Sequence, residues 1–535
     1  MDVSLRRAGL AIAAGTLTSR ATGFIRTVVI AAALGSYLGD PYNVANTIPN
    51  ILYDLLLGGV LSSVVLPLLV DAARTDGDNG EAYAQRLLGV VVVALAVVSI
   101  VGVLLAPQIV HLYGSRLSGS GRDLATTFTR YFLPQVLFYG VGAVFTAILN
   151  TRGSLVVPMW APVLNNVVVI ATGGLFLAIT RAAPRPDQLS HGQTLLLAIG
   201  TTAGIVVQTI ALLPGLRAVG FRLRPRWDWR GARLGAAGGF AAGMVVYVIT
   251  NQLGYLVIVN LATASAGARH AAGFGYSAYT YAYVLFSLPY AVVAVSVITA
   301  LFPQMSRSAA EGHRGEVANT LAAGLSTSAA LLVPASAALV VLGPLIGATV
   351  FAHGNTTLSD ARLTGATLAA FAIGLVPFSA FQVQLRAFLA MRDSRTPAVI
   401  NVVTTGVNVL LDLVLYVALP SREKVVGLAI GFSLSYLLGT AWFARLLRAR
   451  LGRANEHRVA RTHVRLAVAS VFGAIPAYVA ARLLTTGLGL GAEASFVAVV
   501  VGLVVGGGIF AAVASRMRIR EFDEVSGLVR RALGR

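Results

Sequence analysis

The chain contains no cysteine. Disulfides, thiolate nucleophiles and cysteine-ligated metals are therefore excluded together. Charge is scarce as well: Asp, Glu, Lys and Arg make up 12% of the 535 residues, while 56% are hydrophobic and mean hydropathy is +0.78. A soluble protein of this size needs far more charge to cover its surface. Catalytic signatures are missing too. There is no His-Glu-x-x-His, no Gly-x-Ser-x-Gly and no Walker loop, and the seven histidines fall singly at segment ends or in loops. No enzyme is expected, and an ATP-driven pump would have to take its phosphate loop from another chain.

What the chain does have is apolar length. A spanning helix needs about 20 mostly apolar residues, and fourteen segments qualify. They lie near 10–35, 44–70, 86–112, 124–149, 156–180, 193–216, 235–262, 272–304, 318–350, 363–390, 397–419, 425–446, 465–486 and 493–515. The first is too long and too charged for a signal peptide. The expected fold is an all-α polytopic membrane protein.

Basic residues outnumber acidic ones by 41 to 21, which raises the question of nucleic acid. Their distribution answers it. The amino end, the even-numbered loops and the carboxyl end hold 28 of them, the odd-numbered loops eight, and the segments themselves five. This is the positive-inside pattern. It predicts cytoplasmic termini in the plasma membrane and leaves no basic face for nucleic acid. The richest loops, 216–234 and 444–465, read as orientation signals and contacts to lipid headgroups. The tail 519–535 is expected to lie as an amphipathic stretch on the inner surface.

An internal repeat organises the segments. "FYGVGAVFTAILNTRGS" (138–154) and "FSAFQVQLRAFLAMRDS" (378–394) align without gaps at an offset of 240 and end segments four and ten. Segments two and eight each run from one proline to another, Pro49 to Pro67 and Pro289 to Pro303. The copies are six segments apart, so both have the same topology. The expected architecture is two pseudo-symmetric six-helix lobes, 1–218 and 219–450, followed by segments 13 and 14 (451–518) and the tail. Two such parallel lobes around a cavity are the plan of an alternating-access transporter.

Ionisable residues at membrane depth mark the candidate site. In "SRATGFIRTVV" (19–29), Arg20 and Arg26 occupy the first apolar segment, where each charge costs roughly 2.5–3.5 kcal/mol. Guanidinium stays charged at any working pH and holds phosphate bidentately, so the pair is read as lining a cavity for an anion. Pairing with Asp54 is the structural alternative. Asn408 and Asp412, four apart, put oxygen donors on one helix face, suited to Na⁺ or to a hydrogen bond between helices. Asn165 and Asn166 read as contacts between helices.

"SRATGFIRTVVIAAALG" followed by "NTIPNILYDLLLGGVLSSVVLP" resembles the opening of the MurJ (MviN) family, the lipid II flippases of peptidoglycan synthesis within the MOP exporter superfamily. "LRAFLAMRDSRTP" (385–397) resembles that family's signature at the end of segment ten. The resemblance implies that Ser19, Arg20, Arg26 and Asp40 belong to the substrate site. Two family arginines fall here on Tyr53, beside Asp54, and on Val284, an actinobacterial-style variation. The resemblance further implies a polyprenyl-diphosphate saccharide as substrate, moved from the cytoplasmic to the outer leaflet. A groove on segments 13 and 14 would hold its tail. No cofactor is expected beyond a coupling ion, Na⁺ or H⁺; cell-wall synthesis or division proteins are expected partners. The alternatives are another exporter of the superfamily, for polysaccharide or drugs, and a non-transporting cell-wall scaffold.

Overall fold

A computed structural model describes residues 3–54, 66–78, 80–180, 183–224, 226, 238–267, 274–452, 456–489, 491–523 and 527. Among these the regular structure is helical. Helices α1 (Val3–Asp54), α2 (Leu66–Thr75), α3 (Glu81–Leu104), α4 (Ala106–Tyr113), α5 (Gly119–Phe132), α6 (Gln135–Thr151), α7 (Val156–Ile179), α8 (His191–Ile210) and α9 (Leu213–Ala218) come first. They are followed by α10 (Gly238–Gly267), α11 (Gly275–Ala310), α12 (Arg314–Phe351), α13 (Leu358–Ile373), α14 (Leu375–Ala390), α15 (Arg395–Ala418), α16 (Lys424–Leu451), α17 (Glu456–Leu488) and α18 (Ala492–Arg516).

Among the described residues, twelve helices or continuous helix pairs are long and apolar enough to cross a membrane, and the bent pair α13–α14 makes a thirteenth. The first two expected segments, 10–35 and 44–70, meet in α1, whose backbone is non-helical at Gly35 (φ 58°, ψ −155°) and is divided there into two helices at a kink. Past the kink the helix carries Pro41 and Pro49. Likewise α11 runs through both Pro289 and Pro303. Residues 55–65 of the predicted second segment lie outside the described residues, as does most of the predicted amphipathic tail.

The chain forms two compact units. The first comprises 1–252 with 266–276 and 354–356; the second comprises 253–265, 277–353 and 357–535. In the first, Tyr42, Phe128 and Phe132 pack edge-to-face and stacked at the centre of an apolar cluster with Leu38, Phe176 and Leu197. Past 218, the described residues are held back onto α3: Gln85 Nε2 donates to the Arg222 carbonyl (2.8 Å), and Arg226 Nε donates to Gln85 Oε1 (3.1 Å). In the second unit, an aromatic cluster of Phe286, Phe371, Phe378, Phe432 and Tyr436 fills the same role.

Lipid tails are as apolar as leucine, so helix association in a membrane depends on close packing. Glycines supply it. A Cβ on Gly343 would lie 2.6 Å from the Gly365 carbonyl, and one on Gly473 would lie 2.6 Å from that of Gly506. These contacts lock α12 to α13 and α17 to α18. Large side chains such as Leu104 (71% exposed) and Val417 (83%) point outward, the arrangement expected of lipid-facing surfaces.

Candidate functional site

The site is built on α1 before its break. Asn166 of α7 donates to the Ser19 carbonyl (3.1 Å) and to Thr22 Oγ1 (3.0 Å), and Gly23 leaves room for that amide. Trp160 Nε1 donates to the Ala11 carbonyl (3.1 Å) lower on the same pair. Asn166 is thus a contact between helices, as the sequence suggested. Anchored on this side, α1 leaves Arg20 exposed and Arg26 half-buried. Among the described residues neither guanidinium has an ion-pair or hydrogen-bond partner. Two unpaired cations in one apolar span cost about 5–7 kcal/mol on the insertion scale. That cost is offset when an anion meets them. The Asp54 side chain, the sequence-level alternative partner, lies outside what the structure describes.

Asp40 does not join the arginines. It is fully buried, and Oδ2 accepts from the backbone N–H of Gly275 (2.9 Å) and of Tyr276 (3.1 Å). Those are the first two amides of α11, which no intrahelical carbonyl can satisfy. Phe274, just before them, has no acceptor to offer as a cap. A carboxylate at a helix N-terminus also meets the positive end of the helix dipole. Nearby, Thr47 Oγ1 and the Tyr276 hydroxyl lie 2.5 Å apart.

The break at Gly35 is closed from a distance. Asn355 N and Nδ2 donate to the carbonyls of Ala32 and Ala33 (both 2.8 Å), and Thr356 Oγ1 donates to that of Ala31 (2.8 Å). No local pattern announces this partnership, which joins positions 322 and 325 apart in the chain.

Tyr53 lines a cavity of about 290 Å³ within the first unit. Its ring packs on Tyr139 (centroids 4.4 Å), whose hydroxyl donates to Asn50 Oδ1 (3.3 Å). Thr146, Asn150, Gln208 and Thr209 add polar groups to the wall. Asn150 Oδ1 is buried with no hydrogen-bond partner.

A family model described as lipid II flippase MurJ matches residues 30–501. The chain belongs to this family. It is a family of transporters rather than of enzymes. The curated relatives include the lipid II flippase MurJ of Burkholderia cenocepacia, 31% identical over 78% of this chain and 79% of that protein. The probable lipid II flippase MurJ of Vibrio cholerae is 27% identical over 82% of each. Among solved structures, a lipid II flippase MurJ in an inward closed conformation superposes with a TM-score of 0.75 at 18% identity, covering 95% of this chain and 99% of that one. An inward-facing multidrug resistance MATE family transporter of the MOP superfamily reaches 0.56 at 15% identity, covering 81% and 99%. At those identities the likeness concerns the fold.

Against the family pattern, the arginine positions carried by Tyr53 and Val284 are filled by an aromatic ring and by a half-buried aliphatic side chain on α11. In the second unit, Asp412 is fully buried on α15. Asn408 Nδ2 donates to its Oδ2 (3.0 Å), while Oδ1 has no hydrogen-bond partner. Gly431 of α16 packs directly against that oxygen. A buried, unsatisfied carboxylate oxygen fits a small hard cation. Among the described residues no group of three or more His, Cys, Asp or Glu surrounds it, so the remaining donors would be amide and carbonyl oxygens. Finally, a cleft of about 230 Å³ opens between α12, α17 and α18, lined by Pro334, Ala338, Leu342, Gly473, Ala477 and Gly506 among others.

Proposed function

We propose that this chain moves lipid II across the plasma membrane, from the cytoplasmic to the outer leaflet, by alternating access. The observation that carries the reading is the pair of unpartnered guanidiniums on α1, in a chain whose residues 30–501 match the lipid II flippase family. Lipid II joins a diphosphate to a saccharide and a long isoprenoid tail. Arg20 and Arg26 receive the diphosphate, each offering two parallel N–H donors to phosphate oxygens. Ser19 lies one residue before Arg20 and fixes α1 through its carbonyl contact with Asn166.

The saccharide requires ring faces and neutral hydrogen-bonding groups. Tyr53 and Tyr139, with Asn150 and Gln208 beside them, offer both. The tail is apolar throughout and suits the cleft on α12, α17 and α18. Because the headgroup is anionic, an inside-negative potential favours outward movement by about 2.3 kcal/mol per charge per 100 mV. A cation, Na⁺ or H⁺, at Asp412 and Asn408 would couple a second gradient to the cycle. Both termini face the cytoplasm in this scheme, as the loop charge asymmetry requires.

The test is complementation of a strain depleted of its lipid II flippase. Arg20→Ala or Arg26→Ala should abolish growth at normal membrane abundance. Arg→Lys should restore it only in part, since ammonium lacks the planar fork. Full complementation by the double alanine variant would overturn the anion-site reading.

A further inference from the structure

Where α17 begins and α18 ends, within the second unit, five arginines surround a cleft of about 430 Å³: Arg458, Arg461, Arg465, Arg518 and Arg520. The first three recur at i, i+3 and i+7 and share one face of α17. All five are exposed. The floor is a single buried acid, Glu521 (7% exposed), whose Oε1 accepts from Arg458 Nη2 and Thr462 Oγ1, both at 3.4 Å. Among the residues lining the cleft, one carboxylate stands among five guanidiniums.

The backbone indicates that this charge is held in place at a cost. After α18 the chain turns through a Schellman motif: Arg518 N–H donates to the Ser515 carbonyl (3.0 Å) and Ile519 N–H to that of Ala514 (3.3 Å). The residue in the left-handed position of such a turn is usually glycine. Here it is Arg518, with φ +51°. The turn itself is well anchored, since Ile519 and Ala514 are both buried in one apolar cluster. Glycine would make the turn with less strain, but it would remove a guanidinium from the cleft.

The surroundings specify the kind of anion. From Val464 onward α17 presents an exposed apolar face, Val464, Val468, Val471, Phe472 and Ile475. It starts within one turn of the cationic rim. A ligand that touches both has a phosphate at one end and hydrocarbon at the other.

We infer that this cleft binds the phosphate headgroup of an anionic phospholipid, in the leaflet on which α17 begins. The guanidiniums hold the phosphodiester oxygens, and the acyl chains lie along the exposed face of α17. In the orientation proposed above this is the cytoplasmic leaflet. The site is separate from Arg20 and Arg26, which stand in the first unit.

The test uses the full chain purified in a neutral detergent, titrated with cardiolipin, phosphatidylglycerol, phosphatidylcholine or inorganic phosphate, with bound lipid counted by native mass spectrometry. The variants are Arg461→Gln/Arg465→Gln and Arg518→Gly. Cardiolipin and phosphatidylglycerol should bind the wild type, while phosphatidylcholine should not. Each arginine removed should weaken cardiolipin binding about fivefold. Arg518→Gly should melt without lipid at or above the wild-type temperature and still bind cardiolipin less tightly, an outcome that loss of folding cannot produce. The inference is overturned if both variants bind cardiolipin within twofold of wild type or if phosphatidylcholine binds equally. Displacement of cardiolipin by millimolar inorganic phosphate would also overturn it, because the cleft would then serve a soluble phosphate.

Discussion

Replacing Asp40 separates the cost of a missing cap from that of a missing charge. Its carboxylate is buried and accepts two backbone N–H bonds of 2.9 and 3.1 Å at the start of α11. Hydrogen bonds to charged groups contribute about 1.5–3 kcal/mol each. Asp40→Ala leaves both amides unsatisfied in a dry site, so the expected loss is about 3–4 kcal/mol; the lower part of the summed range applies because relaxation lets water reach one amide. Asp40→Asn keeps an acceptor oxygen but loses charge assistance and the favourable helix-dipole term, roughly half the strength. Its expected loss is about 1.5 kcal/mol. Equilibrium unfolding in mixed SDS micelles, followed by fluorescence of the four tryptophans, measures both. If the alanine variant loses less than about 1 kcal/mol, Asp40 does not cap α11. If asparagine costs as much as alanine, the charge rather than the acceptor carries the effect.

Three further outcomes are expected. Sodium should raise the thermal midpoint of the wild type but not of Gly431→Ala, whose methyl would occupy the space beside Asp412 Oδ1, nor of Asp412→Asn; an equal sodium response in all three would remove the cation from this site. Burial alone would raise the pKa of Asp393, but hydrogen bonds from Thr396 and Arg450 outweigh it and hold the carboxyl below its usual value. Its contribution to stability is therefore present above the unfolded value of about 3.9 and is lost as pH falls through the lowered folded value, so Asp393→Asn should flatten the acid limb of a stability–pH curve below about pH 4. Single cysteines at Ser118 and Thr357 should react with an impermeant reagent from outside the cell, while those at Ser154 and Ser394 should react only after permeabilisation; the reverse pattern would invert the topology and the direction of transport.

The parts of this molecule that were legible in the sequence are those whose physics is local. Hydropathy marks a span because a span is one stretch of chain, and a charge inside it stands out because its cost does not depend on distant residues. Arg20, Arg26 and the Asn408–Asp412 pair were therefore visible at once. Asp40 was visible as a residue but its partners were not: they are amides 235 and 236 positions away, and no pattern around "GDPYN" names them. The Gly35 break falls where the first apolar segment was expected to end, but the groups that close it were not readable: its carbonyls are met by Asn355 and Thr356, more than 300 positions away. Tyr139 escaped notice because an aromatic in an apolar segment is ordinary until its neighbour Tyr53 is known.

The internal repeat shows the same boundary between residue identity and geometry. Spans four and ten are both broken near their middle, between α5 and α6 and between α13 and α14, with a 49° bend in the second copy. Pro134 follows the first break, whereas Gly374 makes the second. In both copies a serine from the preceding span takes a carbonyl at the break: Ser99 Oγ donates to Leu133 (3.3 Å), and Ser336 Oγ to Ala372 (2.6 Å). Both broken spans also begin under a hydroxyl cap, Ser118 receiving the Gly121 amide and Thr357 that of Asp360. Different residues thus break the two helices, and each hydroxyl meets a carbonyl that the helix can no longer satisfy within the membrane. An alignment by identity finds the ends of these spans, where "NTRGS" and "MRDS" correspond, and passes over their middles. The break recurs through different residues because any residue that interrupts the helix, with any hydroxyl that takes the freed carbonyl, suffices.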